Sequence, residues 1–158
     1  MTITRGKSPD SQSVLVKTWG AVYEYARSAL GVKAHSWVAA GKSMGGRVAS
    51  QMAADGYLPV DRLIFLGYPL HPASDVERLR DAHLYEIKVP MLFFAGTRDP
   101  LCSLPKLLGV LERIDTPHQF HTIEGGDHSF HVPRSLHKTD NDIYEQIITE
   151  SIKWLSTP

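Results

Sequence analysis

The stretch Val38-Ala39-Ala40-Gly41-Lys42-Ser43-Met44-Gly45-Gly46 constrains this chain most. An apolar run breaks into glycines around one serine. It then continues as a helix-forming segment, Arg47 to Ala54. Two architectures use such a strand–turn–helix. A phosphate-binding loop ending in Gly41-Lys42-Ser43 needs an earlier glycine, so that successive N–H groups can curl around the phosphates. That position is Ser36, and the residues after it are apolar. The next apolar run, Leu63 to Leu66, carries no aspartate to hold magnesium. The pattern Gly41-x-Ser43-x-Gly45 instead fits a nucleophile elbow, a sharp turn that lifts a serine out of its strand. A side chain two positions away would clash there, and Gly41, Gly45 and Gly46 supply the space. A glycine-rich turn with an ordinary serine satisfies the same pattern, so the rest of the chain must decide.

Apolar spacing predicts a helix over Val14–Leu30, stopped by Gly31. Strands follow at Ser36–Ala40, Arg62–Leu66, Pro90–Ala95 and Gln119–Ile123. Helices are expected from about Ser43, from Leu104 to Ile114, and over the segment carrying Ile143, Ile147, Ile148, Ile152 and Leu155, capped by Asp140 or Asn141. A short helical pattern runs from Asp75 to Tyr85. Strand and helix alternate, which gives an α/β fold: about four parallel strands with helices on both faces. Residues 1–13 read as a flexible polar lead-in, and 14–158 as one domain.

In such sheets the site lies beyond the carboxyl ends of the strands. Ser43, Asp99 and His128 each follow the end of a predicted strand, in the order Ser…Asp…His. A serine hydroxyl is a weak nucleophile until a histidine takes its proton. The histidine needs a carboxylate to fix its tautomer and stabilise its charged form. Asp127 is an alternative acid, although sequence neighbours rarely point at each other. His71, after the second strand, is a candidate substrate-loop or capping residue and a weaker alternative base. Lys42 is a second candidate for the substrate loop, with a surface or loop contact its simpler role. Cys102 reads as a structural thiol. His35, His83, His118, His121, His131 and His137 show no metal-ligand spacing and read as surface or loop residues. Trp19 and Trp154 read as core.

Composition excludes several other functions. The 17 basic and 17 acidic side chains balance, so no basic face suggests nucleic acid. No apolar run approaches the roughly 20 residues needed to cross a membrane, and the N-terminus lacks a signal peptide's apolar segment. One cysteine excludes an internal disulfide and a cysteine zinc site. A cytoplasmic protein without cofactor or metal is the expectation.

Together, Gly-Lys-Ser43-Met-Gly-Gly, Gly96-Thr-Arg-Asp99 and Gly126-Asp-His128 make the chain resemble the α/β-hydrolase superfamily. With Gly-Tyr-Pro-Leu-His-Pro, it is similar to small hydrolases related to dienelactone hydrolases and to the testis-expressed hydrolase-like family. The resemblance implies Ser43 as nucleophile, Asp99 as acid, His128 as base, and the backbone N–H of Met44 as one oxyanion donor. It implies a serine hydrolase of small carboxylic esters, working through an acyl-enzyme. The alternative is a catalytically weak or silent interaction module. Substrate choice would lie in the loops His71–Glu86 and Ser129–Thr139. The resemblance covers only the C-terminal half of the fold, a truncated α/β-hydrolase. The loop that usually gives the second oxyanion N–H is not seen, and the strand Ser36–Ala40 is left as a bare apolar edge. Such an edge tends to pair with another chain, so the expected partner is a second copy, in a homodimer that also closes the site.

Overall fold

A computed structural model describes residues 10–29 and 34–157. Helix α1 spans Gln12–Ala29, so the last residues of the expected lead-in are already helical. Residues 1–9, and the expected stop at Leu30-Gly31, lie outside the described residues. Then come β1 (Val38–Lys42), α2 (Met44–Ala54), β2 (Arg62–Leu66), β3 (Met91–Gly96), α3 (Leu104–Leu111), β4 (His118–Ile123) and α4 (Asp140–Leu155). The four strands form one parallel sheet in the order β1-β2-β3-β4.

Helices cover both faces. On one, Leu63, Phe65, Met91 and Phe93 pack with Val48 and Met52 of α2 and with Leu107 and Val110 of α3. Leu15, Trp19 and Tyr23 of α1 join this layer, Trp19 half-buried. On the other face, Ile64, Leu92, Phe94 and Ile123 meet Ile143, Ile147 and Trp154 of α4. Burying each such side chain contributes roughly 1.5–3 kcal/mol. All six residues of β3 are buried, as a central parallel strand requires.

Several sequence expectations need correcting. The strand expected at Ser36–Ala40 is Val38–Lys42, and its residues alternate exposed and buried. Helix α4 lies over β2, β3 and the end of β4, and among the described residues Val38, Ala40 and Lys42 are exposed. The apolar stripe of α4 is also two-sided. Ile143, Ile147 and Trp154 are buried, but Ile148 and Ile152 are 56% and 59% exposed. The α4 cap is Thr139, one residue before the expected aspartate. Its hydroxyl accepts from the Asp142 N–H and the Asp142 carboxylate returns to the Thr139 N–H, a capping box. Between Asp75 and Tyr85 only one short 3-10 turn forms, Ala82–Glu86.

Two glycines make close approaches possible. A Cβ on Gly41 would lie 2.4 Å from the Gly46 nitrogen, so α2 rises directly off β1. A Cβ on Gly96 would lie 2.2 Å from the Gly126 carbonyl oxygen, which seats the loop after β4 against the end of β3. Gly45 is different: nothing lies within 4 Å of its Cβ position, so it supplies no needed space to the described residues. Gly96→Ala is therefore expected to destabilise by about 3 kcal/mol, because backbone on both sides must move. That is a fall of roughly 10 °C in melting temperature for a domain this size. Gly109→Ala on α3, with open space around it, should hold or slightly raise the melting temperature. Equal melting temperatures for the two variants would refute this account of the loop's seat.

Candidate active site

The sheet's carboxyl edge gathers three chemistry-bearing side chains. Ser43 leaves β1 with φ 51° and ψ −122°, a conformation that L side chains rarely adopt. Such strain costs of order 1–3 kcal/mol and persists where the surroundings enforce it. Here the Ser43 N–H donates to the Leu66 carbonyl at the end of β2 (3.0 Å), and its own carbonyl accepts from the Arg47 N–H of α2 (3.1 Å). The turn thus aims Oγ away from both elements.

His128 follows β4 and Asp99 follows β3. The Nε2 of His128 is 2.7 Å from Ser43 Oγ, and its Nδ1 is 2.8 Å from Asp99 Oδ2. The Asp99 carboxylate is fully buried and its other oxygen accepts from the Leu101 N–H (2.8 Å). A carboxylate only accepts, so Nδ1 carries the proton and Nε2 is free to accept from the serine. The three residues stand in one hydrogen-bonded row. Gly67 forms the floor beneath it: with φ 68°, its Cβ position lies 3.1 Å from the His128 carbonyl oxygen and 3.6 Å from Nδ1. The Met44 N–H, first in α2, has no hydrogen-bond partner among the described residues, as expected for a helix's first turn.

The other sequence candidates fall elsewhere. Asp127 is turned from the imidazole and binds the N–H groups of Ser129 and His131. Although its partial burial works the other way, these bonds hold its carboxyl below the ordinary value. His71 is not on an exposed substrate loop; it is buried. Its Nδ1 donates to the Pro72 carbonyl and its Nε2 accepts from the Ser103 N–H (2.9 Å each). It fastens the β2 exit to the turn that follows Asp99. Lys42 reaches the site's rim, where Nζ donates to the His128 carbonyl (3.0 Å). Cys102 is buried, and that burial, aided by the Asp99 charge, pushes its thiol up to about 12. A thiol so held is no nucleophile.

A second serine–histidine contact exists. Ser50 Oγ lies 2.8 Å from Nε2 of His83, which is half-buried rather than on the surface. The hydroxyl proton of Ser50 goes to the Arg47 carbonyl, and that of Tyr68 goes to the Arg80 carbonyl. His83 Nε2 must then donate to both oxygens, at 2.8 and 3.1 Å. A donating nitrogen cannot activate a serine. Burial, with Arg47 nearby, lowers the His83 pKa and favours this neutral form. The pair is a structural tie among α2, the β2 exit and the 3-10 turn. His118 and His121 lie on β4, the latter stacked on Phe94. Among the described residues no cluster of three His, Cys, Asp or Glu could hold a metal, and no helix is long and apolar enough to cross a membrane.

A family model described as an alpha/beta hydrolase domain matches residues 2–156. The chain belongs to the α/β-hydrolase family. Its fold recurs in solved structures of low sequence identity. An alpha-beta serine hydrolase homologue from Coxiella burnetii is 21% identical (TM-score 0.63), with 81% of this chain covering 58% of that one. A dienelactone hydrolase from Anabaena variabilis is 20% identical (TM-score 0.60), with 89% of this chain covering 59% of that one. A serine hydrolase without lid from Xanthomonas campestris is 19% identical (TM-score 0.67), with 98% covering 63%. This α/β-hydrolase chain thus spans less than two thirds of the length of each. Its four-stranded sheet, in which β1 is an edge strand among the described residues, is a truncated version of the fold.

The sequence pointed to Ser43, Asp99 and His128, and its motifs included Gly67 and Gly96 without showing what those glycines support. Their signal was present: Gly67 and Gly96 each stand where an apolar strand ends.

Proposed function

We propose that this chain is a serine hydrolase that cleaves small carboxylic esters through an acyl-enzyme. The observation that carries the reading is the hydrogen-bonded row Ser43 Oγ–His128–Asp99, with contacts of 2.7 and 2.8 Å, at the carboxyl edge of the sheet. Ser43 attacks the ester carbonyl as Nε2 of His128 takes its proton. Asp99 stabilises the imidazolium, and the Met44 N–H faces the developing oxyanion. His128 then passes the proton to the leaving alcohol, and water attacks the acyl group by the same route in reverse.

A second reading is a catalytically weak or silent interaction module. One feature of the sequence favours it: no recognisable motif marks the loop that usually gives the second oxyanion N–H. Losing one such donor typically costs about 10²–10³ in kcat. Turnover of short p-nitrophenyl esters separates the two readings. A rate above buffer that disappears on fluorophosphonate treatment supports the hydrolase, and no rate and no labelling support the module.

The reading extends to assembly as a homodimer through β1. Support comes from the open edge and from uncovered apolar groups beside it, Val38 on the strand and Tyr144 and Ile148 on α4. Exposed apolar groups next to a strand edge can mark an interaction site. Sedimentation at micromolar concentration should give twice the mass of one chain. A monomer at that concentration would rule the dimer out.

A further inference from the structure

We propose that Lys42 is a positioning residue for the base: its ammonium ties the backbone of His128 to the nucleophile's own strand and so sets the approach of Nε2 to Ser43. The proposal rests on the roles given above to Ser43, Asp99 and His128. It begins with topology. His128 follows β4 and Ser43 follows β1, at opposite edges of the sheet. Three strand spacings of about 4.8 Å separate them, about 14 Å in all. The loop after Ile123 must therefore cross the ends of β3 and β2 to bring the imidazole to the serine.

Supports along the crossing come from the intervening strands. Gly96 seats Gly126, Asp99 holds Nδ1, and Gly67 lies beneath His128. At the far end, β1 and its elbow supply two contacts. One is the Ser43–Nε2 hydrogen bond, which breaks and reforms in every turnover. The other is the Lys42 Nζ bond to the His128 carbonyl, at 3.0 Å. Without Lys42 the loop tip would be held at β1 only by the bond the reaction consumes. Because an ammonium is the donor, the tie is charge-assisted, although at this exposed rim solvent screens part of that strength. It also persists when the imidazole changes protonation, since it holds the backbone and not the ring.

The lysine's end is fixed a second way. Its Nζ lies 5.5 Å from the ring centroid of Phe130, two residues beyond the base. Phe130 adopts φ 69° and is buried in the α4 layer. A bulky residue held in that region signals a loop over-determined by its surroundings. Lys42 thus grips the loop at His128 and at Phe130. A lysine that merely kept an open strand edge soluble would make neither contact necessary.

The test compares wild type, Lys42→Met and Lys42→Arg on p-nitrophenyl acetate, with melting temperatures alongside. A small misplacement of a reacting group costs up to about a hundredfold in rate. Lys42→Met should lower kcat by about tenfold to a hundredfold with KM little changed. Lys42→Arg, which can donate to the same carbonyl, should recover most of the loss, and all three should melt within a few degrees. Unchanged kcat in Lys42→Met would overturn the proposal, as would an arginine variant as slow as the methionine one. Nitrogen NMR of the His128 ring reads the same tie without turnover. The Nε2 signal should be sharp in wild type and exchange-broadened in Lys42→Met. An unchanged line overturns the role of Lys42 even if no ester is cleaved, whereas broadening in an inactive protein leaves Lys42 in place and sinks the hydrolase reading alone.

Discussion

Ser43→Ala will abolish ester hydrolysis and leave the fold intact. Removing the nucleophile of a serine–histidine–aspartate site lowers kcat by about 10⁶-fold in the best-measured case. Without the attacking hydroxyl no acyl-enzyme can form, so the variant should fall to the buffer background. Stability should change little. Alanine meets the same backbone strain at φ 51°, and the lost side-chain contact is the one bond to His128. Removing one such hydrogen bond costs about 1 kcal/mol. Unchanged turnover in a well-folded variant would mean that another group attacks the ester. Ser50, the other serine bonded to a histidine, is a poor substitute because its proton is committed to the Arg47 carbonyl.

Asp99→Asn will cost about 10⁴-fold in kcat, the loss seen when the equivalent carboxylate becomes an amide in a serine protease. The amide can donate to Nδ1. The ring then takes the other tautomer, with its proton on Nε2 pointing at Ser43, and can no longer accept from the serine. Asp127→Asn provides the contrast. Its oxygen can still accept from Ser129 and His131, as Asp127 does now, so activity should stay within about threefold of wild type, a difference near 0.65 kcal/mol. Steady-state kinetics on the two variants decides between the carboxylates. A large loss in Asp127→Asn with a small one in Asp99→Asn would reverse the assignment.

The local rules that served the sequence reading best concern strands and turns. β2 was legible to the residue, because its apolar run Leu63–Leu66 stands between Asp61-Arg62 and the turn residue Gly67. The positions of Ser43, Asp99 and His128 followed from topology alone, since a parallel sheet sends each strand's exit to one edge. Tertiary choices were less legible. The isoleucines of α4 share a helical stripe, yet Ile148 and Ile152 stay exposed because α4 sits over β2 and β3 and leaves β1 bare. Spacing shows which residues share a helix face; it does not show which neighbour covers it. His71 looked like a loop residue, but the Ser103 N–H waiting for its Nε2 comes from 32 positions away. The role of Lys42 was hidden for the same reason, its partner lying 86 positions along the chain. Gly45 fits the elbow pattern, yet no described atom approaches its Cβ position.

If Ser43 is an activated nucleophile, it will be labelled covalently by an electrophile that reacts only with such serines. The protein is treated with a fluorophosphonate, its intact mass is recorded, and the modified peptide is sequenced by mass spectrometry. A single adduct is expected, on Ser43, absent in Ser43→Ala and strongly slowed in Asp99→Asn. An adduct on Ser50 or on another residue, or no adduct under conditions that label a known serine hydrolase, would contradict Ser43 as the nucleophile.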